Sequence, residues 1–255
     1  MKTMWLIGCA MWVGLGPCAF AEVQSKVIAY QDGEVALEGY LAWDDAMEGP
    51  RPGVLVAHAW MGLGDYEQRR ARELAALGYV AFALDIYGKG VRAENPEQAG
   101  KLSAVYKSDR NLMRTRARAG LDELARQELC SSQKLAAIGY CFGGTVVLEL
   151  ARSGAPLAGA VSFHGGLATP RPEDAKQIKG SVLALHGADD PYVPTSEVQA
   201  FQEEMRSAGV DWQLVSYGGA VHAFSDPSAG NDPSQGAAYN AAADRRSWQA
   251  MRSFC

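Results

Sequence analysis

The chain has 255 residues, 48% of them hydrophobic, and a formal net charge of −5. That supplies apolar surface for one large core and excludes a disordered chain. No block of like charge stands out, which argues against nucleic-acid and membrane-surface binding as the main function.

At the N-terminus, Lys2 is the only charge before Glu22, and residues 4–15 form an apolar run too short to span a bilayer comfortably. Ala19-Phe20-Ala21 matches the small-x-small cleavage pattern. Residues 1–21 are therefore expected to be a signal peptide cleaved after Ala21, and residues 22–255 a single domain of a secreted, periplasmic protein. Two lipoprotein-like sites fit less well: Cys9 comes too early, and Cys18 follows Pro17. Cleavage leaves Cys130, Cys141 and Cys255. An odd number leaves at least one thiol unpaired, and a Cys130–Cys255 bridge stays open, since connectivity cannot be read from spacing.

Strand-like runs then alternate with helix-like runs, which predicts an α/β domain with a mostly parallel sheet and helices on both faces. Residues 27–30 and 35–43 flank Asp32-Gly33 and read as an antiparallel pair. Residues 54–58 form a continuous apolar run, as expected of a strand buried on both faces. Asp65, with Gln68 three residues on, predicts a capped helix ending at Gly78. Residues 79–85 read as a strand, 96–106 and 109–128 as helical, 135–140 as a strand, and 145–151 as a buried helix. Strands follow at 157–164, 182–187 and 212–217, with a helix from Ser196 between the last two and a closing helix from about Ala238. The unpatterned stretches 60–64, 87–95 and 218–234 follow the C-terminal ends of strands, where open α/β sheets bind ligands.

Gly139-Tyr140-Cys141-Phe142-Gly143 stands between the strand at 135–140 and the helix at 145–151. This is the G-x-S-x-G nucleophile elbow with cysteine in place of serine. Its glycines permit a sharp turn that exposes the residue at its tip, so Cys141 is a candidate thiolate nucleophile. The competing reading is a buried structural cysteine. A thiol attacking an acyl carbon needs a base, and the base needs a partner that fixes its tautomer. The chain has four histidines, His58, His164, His186 and His222, all placed at strand ends or in the loop after the last strand. None has the short helical spacing of a zinc motif, so no metal or organic cofactor is expected. In the hydrolase order of nucleophile, acid, histidine, only His222 follows both Cys141 and a suitable acid. That acid lies in the turn 187–194. Asp190 is preferred to Asp189 because it sits nearer the Val-Pro that ends the turn.

Together, residues 54–62, Asp85-Ile86-Tyr87-Gly88-Lys89-Gly90, the cysteine elbow, residues 187–194 and Ala220-Val221-His222-Ala223-Phe224 resemble the dienelactone hydrolase family over about residues 27–254. The resemblance implies an α/β-hydrolase fold and a carboxylic ester hydrolase. It implies a Cys141–His222–Asp190 triad and settles Asp190 over Asp189. It also implies an oxyanion hole from the backbone N–H groups of Phe142 and Trp60, and a small-molecule ester or lactone as substrate. Two positions depart from the family pattern. Ala59 stands where the family carries a glutamate that keeps the resting thiol protonated, so Cys141 is expected to pair directly with His222. Asp226 stands where the family carries a substrate-gripping arginine. A second family arginine is matched by Lys89, with Arg92 nearby and Tyr87 just before, and these three are the candidate substrate-binding residues. Dienelactone itself is therefore not the expected substrate. A peptidase or thioesterase on the same fold, or a thiol-reactive binding protein without turnover, stays open, and the sequence does not set the oligomeric state.

Overall fold

The structure is a computed structural model and describes residues 22–254. The expected signal segment and Cys255 lie outside the described residues. Cys130 is a free, buried thiol.

The first two strands, β1 (Val23–Asp32) and β2 (Val35–Asp44), form a hairpin around the turn at Asp32-Gly33. The core strands are β3 (Arg51–Ala57), β4 (Val80–Leu84), β5 (Cys130–Tyr140), β6 (Gly159–Phe163), β7 (Ser181–Gly187) and β8 (Trp212–Tyr217). They make one eight-stranded sheet in the order β1-β2-β4-β3-β5-β6-β7-β8. The hairpin joins β4 antiparallel, and every pairing from β4 to β8 is parallel. The helices are α1 (Asp65–Ala75), α2 (Pro96–Ser108), α3 (Arg110–Ala125), α4 (Phe142–Arg152), α5 (Thr195–Ala208) and α6 (Ala241–Phe254).

Side chains alternate across a strand, so each buried strand feeds two cores. Leu55 and Ala57 of β3 pack with α3 and α4 through Leu121, Leu124, Val146 and Leu150. Val54 and Val56 pack on the other face with Leu74 of α1 and Met251 of α6. Phe201 and Met205 of α5 cover Val182 and Ala184 of β7. Helices thus occupy both faces, and all the parallel strands point their C-terminal ends to one edge.

Three of the boundaries that differ from the sequence reading bear on the site or the sheet beside it. Helix α1 is capped one residue earlier, by extended Gly64, and Glu67 rather than Gln68 closes the capping box. Helix α4 starts at Phe142 rather than Thr145 and so absorbs Gly143-Gly144. These glycines have poor helix propensity but are needed for contact: a Cβ on Gly143 would lie 2.1 Å from the Ala57 carbonyl oxygen. Strand β5 begins at Cys130, before a bulge opposite Pro52/Gly53, and its polar residues 131–134 break the apolar pattern.

Candidate active site

Cys141 sits between β5 and α4 with φ 54° and ψ −116°. This left-handed backbone is unfavourable for a residue with a Cβ, so packing must enforce it. Gly139 supplies part of that packing, since a Cβ there would lie 2.0 Å from the Gly143 carbonyl oxygen. The turn aims Sγ out of the sheet at the N-terminus of α4, where the neighbouring Phe142 N–H favours its anionic form.

The loop after β8 brings His222 to this point. His222 Nε2 is 3.1 Å from Cys141 Sγ, and His222 Nδ1 is 2.8 Å from Asp190 Oδ2. The other Asp190 oxygen accepts the Tyr192 N–H at 2.8 Å, which fixes the carboxylate in its turn. Asp189 points elsewhere and accepts the Gly219 N–H at 3.0 Å. Cys141, His222 and Asp190 thus form one continuous line. Burial opposes charge on both Cys141 and His222, but each outweighs it for the other. Burial would raise the Cys141 thiol, yet the charge and hydrogen bond of His222 bring it below the ordinary value. Burial would lower His222, yet the Cys141 charge and the Asp190 hydrogen bond raise it to about 10. Such a pair titrates as a unit, and both shifts favour thiolate beside imidazolium.

The loop after β3 forms the opposite wall. Tyr87 Oη donates to the Trp60 carbonyl at 2.8 Å, the Gly62 N–H donates to the Ala59 carbonyl, and the Ala93 N–H to the Met61 carbonyl. His58, fully buried below, bonds the Ala59 carbonyl through Nδ1 and accepts the Ile86 N–H at Nε2. One buried carboxylate holds both ends of the loop: Glu67 accepts the Ala59 N–H at 3.0 Å and the Gly64 N–H at 2.9 Å. Burial, the largest influence, raises Glu67 to about 7 against the pull of these N–H groups. The sequence reading missed Glu67 because it placed the helix cap one residue late.

Of the candidate substrate-binding residues, Tyr87 is buried and packs between His58, Tyr106 and Phe142. It supports the Trp60 loop from beneath. Lys89 pairs with Glu38 of β2 at 2.8 Å. Arg92 lies over Gly62 and Gly64 and lines a shallow cleft with Glu38, Gln68 and Asp85, in which Cys141, His222 and Asp190 take no part. Asp226 accepts the Ser228 N–H and hydroxyl, both at 2.8 Å, in a turn after His222. Trp60 and Tyr192 expose aromatic surface at the rim, and the Tyr192 ring stands perpendicular to His222 with centroids 5.4 Å apart.

His164 is buried behind Cys141 and His186 is buried at the end of β7. Among the described residues, no group of three or more His, Cys, Asp and Glu side chains could hold a metal ion.

The model of the dienelactone hydrolase family matches residues 37–255. A structure named m3DLH superposes with a TM-score of 0.88 at 44% identity and covers 91% of this chain and 97% of its own. The crystal structure of a dienelactone hydrolase-like promiscuous phosphotriesterase from metagenomic libraries gives the same TM-score of 0.88 and 44% identity, over 92% of this chain and 98% of its own. Protein usf of Aquifex pyrophilus is 30% identical over 207 residues, 78% of this chain and 86% of that protein. The chain therefore belongs to the dienelactone hydrolase family and is a hydrolase on the α/β-hydrolase fold.

Proposed function

We propose that the protein cleaves a neutral ester or lactone through a Cys141–His222–Asp190 triad and an acyl-enzyme. The observation that carries this reading is the unbroken line from Asp190 through His222 to a sulfur at the N-terminus of α4. The Cys141 thiolate attacks the carbonyl carbon, and the oxyanion forms against the N–H groups of Phe142 and Trp60. Collapse of that intermediate expels the alkoxide, which takes its proton from the His222 imidazolium. Neutral His222 then takes a proton from water, and the resulting hydroxide releases the acid and frees the thiolate beside the recharged imidazolium. Asp190 keeps Nδ1 protonated throughout.

Charge at the site supports a neutral substrate. Lys89 is paired with Glu38, and Asp226 adds negative charge in the His222 loop. The exposed faces of Trp60 and Tyr192 offer apolar surface for an aryl or alkyl group. Mixing with p-nitrophenyl acetate should place one acetyl group on the Cys141 peptide, seen by mass spectrometry under rapid quench, with continued turnover. Acetylation without turnover would favour a thiol-reactive binding protein, and acetylation elsewhere would remove Cys141 from the reaction. Asp226→Arg should raise the rate on anionic lactones relative to neutral esters, and an unchanged ratio would remove Asp226 from the specificity argument.

A second reading, hydrolysis of a neutral phosphotriester, is favoured by the 44% identity to the phosphotriesterase over 92% of this chain. An aryl phosphotriester in the same assays separates the two. The protein is also proposed to be exported, on the pattern of residues 1–21, and N-terminal sequencing of the mature protein should begin at Glu22.

A further inference from the structure

His164 lies beside the proposed nucleophile, and the reaction as proposed gives it no task. It follows β6, is 2% exposed, and holds φ 41°. Its Nδ1 accepts the backbone N–H of Cys141 at 3.1 Å, a donor shared with the Phe163 carbonyl at 3.0 Å. An acceptor at Nδ1 must be bare, so the ring proton is on Nε2. Nε2 faces Ser225 Oγ at 2.8 Å, three residues beyond His222.

The proton directions then follow around the network. Ser225 Oγ accepts from His164 and gives its own proton to Tyr66 Oη, 2.8 Å away. Tyr66 in turn donates to the Ser225 carbonyl at 3.1 Å, which Arg70 also binds at 3.1 Å. With a backbone N–H at one end and a backbone carbonyl at the other, these directions satisfy every bond of the network. Protonating His164 would put two N–H groups face to face at Cys141. Cys141, His222, Tyr66, Tyr140 and Arg70 are the titratable and charged groups around the ring. Burial first, then the His222 charge, holds His164 well below the usual imidazole range.

We propose that His164 is a positioning residue, a neutral strut that ties the backbone of Cys141 to the loop carrying His222 and so sets the separation of Sγ and Nε2. The inference rests on the Cys141–His222 pair proposed above. The two ends of that pair come from different elements, and neither covalent geometry nor a shared strand fixes their spacing. His164 bridges them, bonded to one element and to the other, with its ring 5.4 Å from that of His222. Its left-handed backbone is what turns the ring back under the elbow.

The test uses Ser225→Ala, which cuts the far bond and leaves the imidazole in place, His164→Asn, which keeps an acceptor near Cys141 and tolerates positive φ, and His164→Phe, which removes both bonds. The readouts are the pH dependence of iodoacetamide labelling of the Cys141 peptide, kcat and KM on p-nitrophenyl acetate, and thermal unfolding. Ser225→Ala and His164→Phe should raise the labelling midpoint by about one pH unit or more and lower kcat at least about tenfold with little change in KM. His164→Asn should fall between these and the wild type. If Ser225→Ala and His164→Asn fold and keep the wild-type midpoint and kcat, losing only thermal stability, His164 is a packing residue and the strut is refuted. Those two variants decide the matter even where His164→Phe does not fold. A wild-type midpoint near the ordinary thiol value of about 8.5 would instead refute the pair itself, and the strut with it.

Discussion

Glu67→Gln isolates the carboxylate that closes the Trp60 loop. Glu67 is 3% exposed, and burial raises it from 4.5 to about 7. The native state therefore binds its proton more tightly than the unfolded chain does. Stability from this group is fully present below the unfolded value and is lost as pH rises through the folded one. At about 1.4 kcal/mol per pH unit, the gap from 4.5 to about 7 amounts to roughly 3 kcal/mol. Glutamine carries no titrating proton. Its amide turns one acceptor into a donor that faces a buried N–H of Ala59 or Gly64, a pH-independent penalty of about 1–3 kcal/mol. Urea unfolding of both proteins at a series of pH values gives the difference in stability, from which every other titrating group cancels. The wild type should lead by about 1–3 kcal/mol at acid pH, and the difference should fall by roughly 3 kcal/mol by alkaline pH, so that the lead vanishes or reverses. A difference that stays flat within about 0.5 kcal/mol across that range would refute the buried-carboxyl argument.

Three further outcomes follow from the site. Asp190→Asn leaves His222 Nδ1 without its anionic partner at 2.8 Å and should lower kcat by about 10³–10⁴ while the protein stays folded, as read by steady-state kinetics and circular dichroism. Because His222 is raised to about 10 and must be charged to protonate the leaving group, kcat/KM should fall as pH rises through about 10 rather than near 6.5, provided the fold survives there by circular dichroism. Gly143→Ala sets a Cβ 2.1 Å from the Ala57 carbonyl oxygen, a backbone atom that cannot swing aside; thermal unfolding should show a large loss of stability, on the order of several kcal/mol, or no soluble protein.

Much of this arrangement is legible in the sequence because it is local. The elbow pentapeptide, the apolar runs of β3 to β7 and the acidic turn at 187–194 each carry their own signal over a few residues. The order of nucleophile, acid and histidine adds topology, since parallel strands deliver their loops to one edge. What escapes the reading is what depends on contacts between distant segments. Lys89 reads as a candidate substrate-binding cation, and its pairing with Glu38, two strands away in sequence, comes only with folding. Gly143 and Gly144 read as a loop and are helix, because close approach to β3 overrides their propensity. Glu67 goes unremarked because its cap lies one position earlier than the Asp65–Gln68 pattern suggests. His164 and Ser225 are 61 residues apart, and nothing near either one announces the other.

Backbone strain links these observations. Among the described residues, three that are not glycine have positive φ: Cys141 at 54°, His164 at 41° and Ala223 at 57°. One is the proposed nucleophile, one bonds its backbone, and one follows the proposed base. Each such residue costs on the order of 1–3 kcal/mol, and it persists only where its surroundings over-determine it. Elsewhere in the described chain, left-handed positions are filled by glycine, which meets no such penalty. Glycine would also meet none at these three, but it would lack the sulfur and the imidazole at two of them, and at Ala223 it would loosen the segment between His222 and Ser225. The ends of β5 and β6 and the loop after β8 converge at this point, and the hydrogen bonds from Cys141 through His164 to Ser225 join all three. The strain therefore sits where three segments must hold one geometry together, and a substitution that relaxes any one of the three should loosen the Cys141–His222 contact before it weakens the fold.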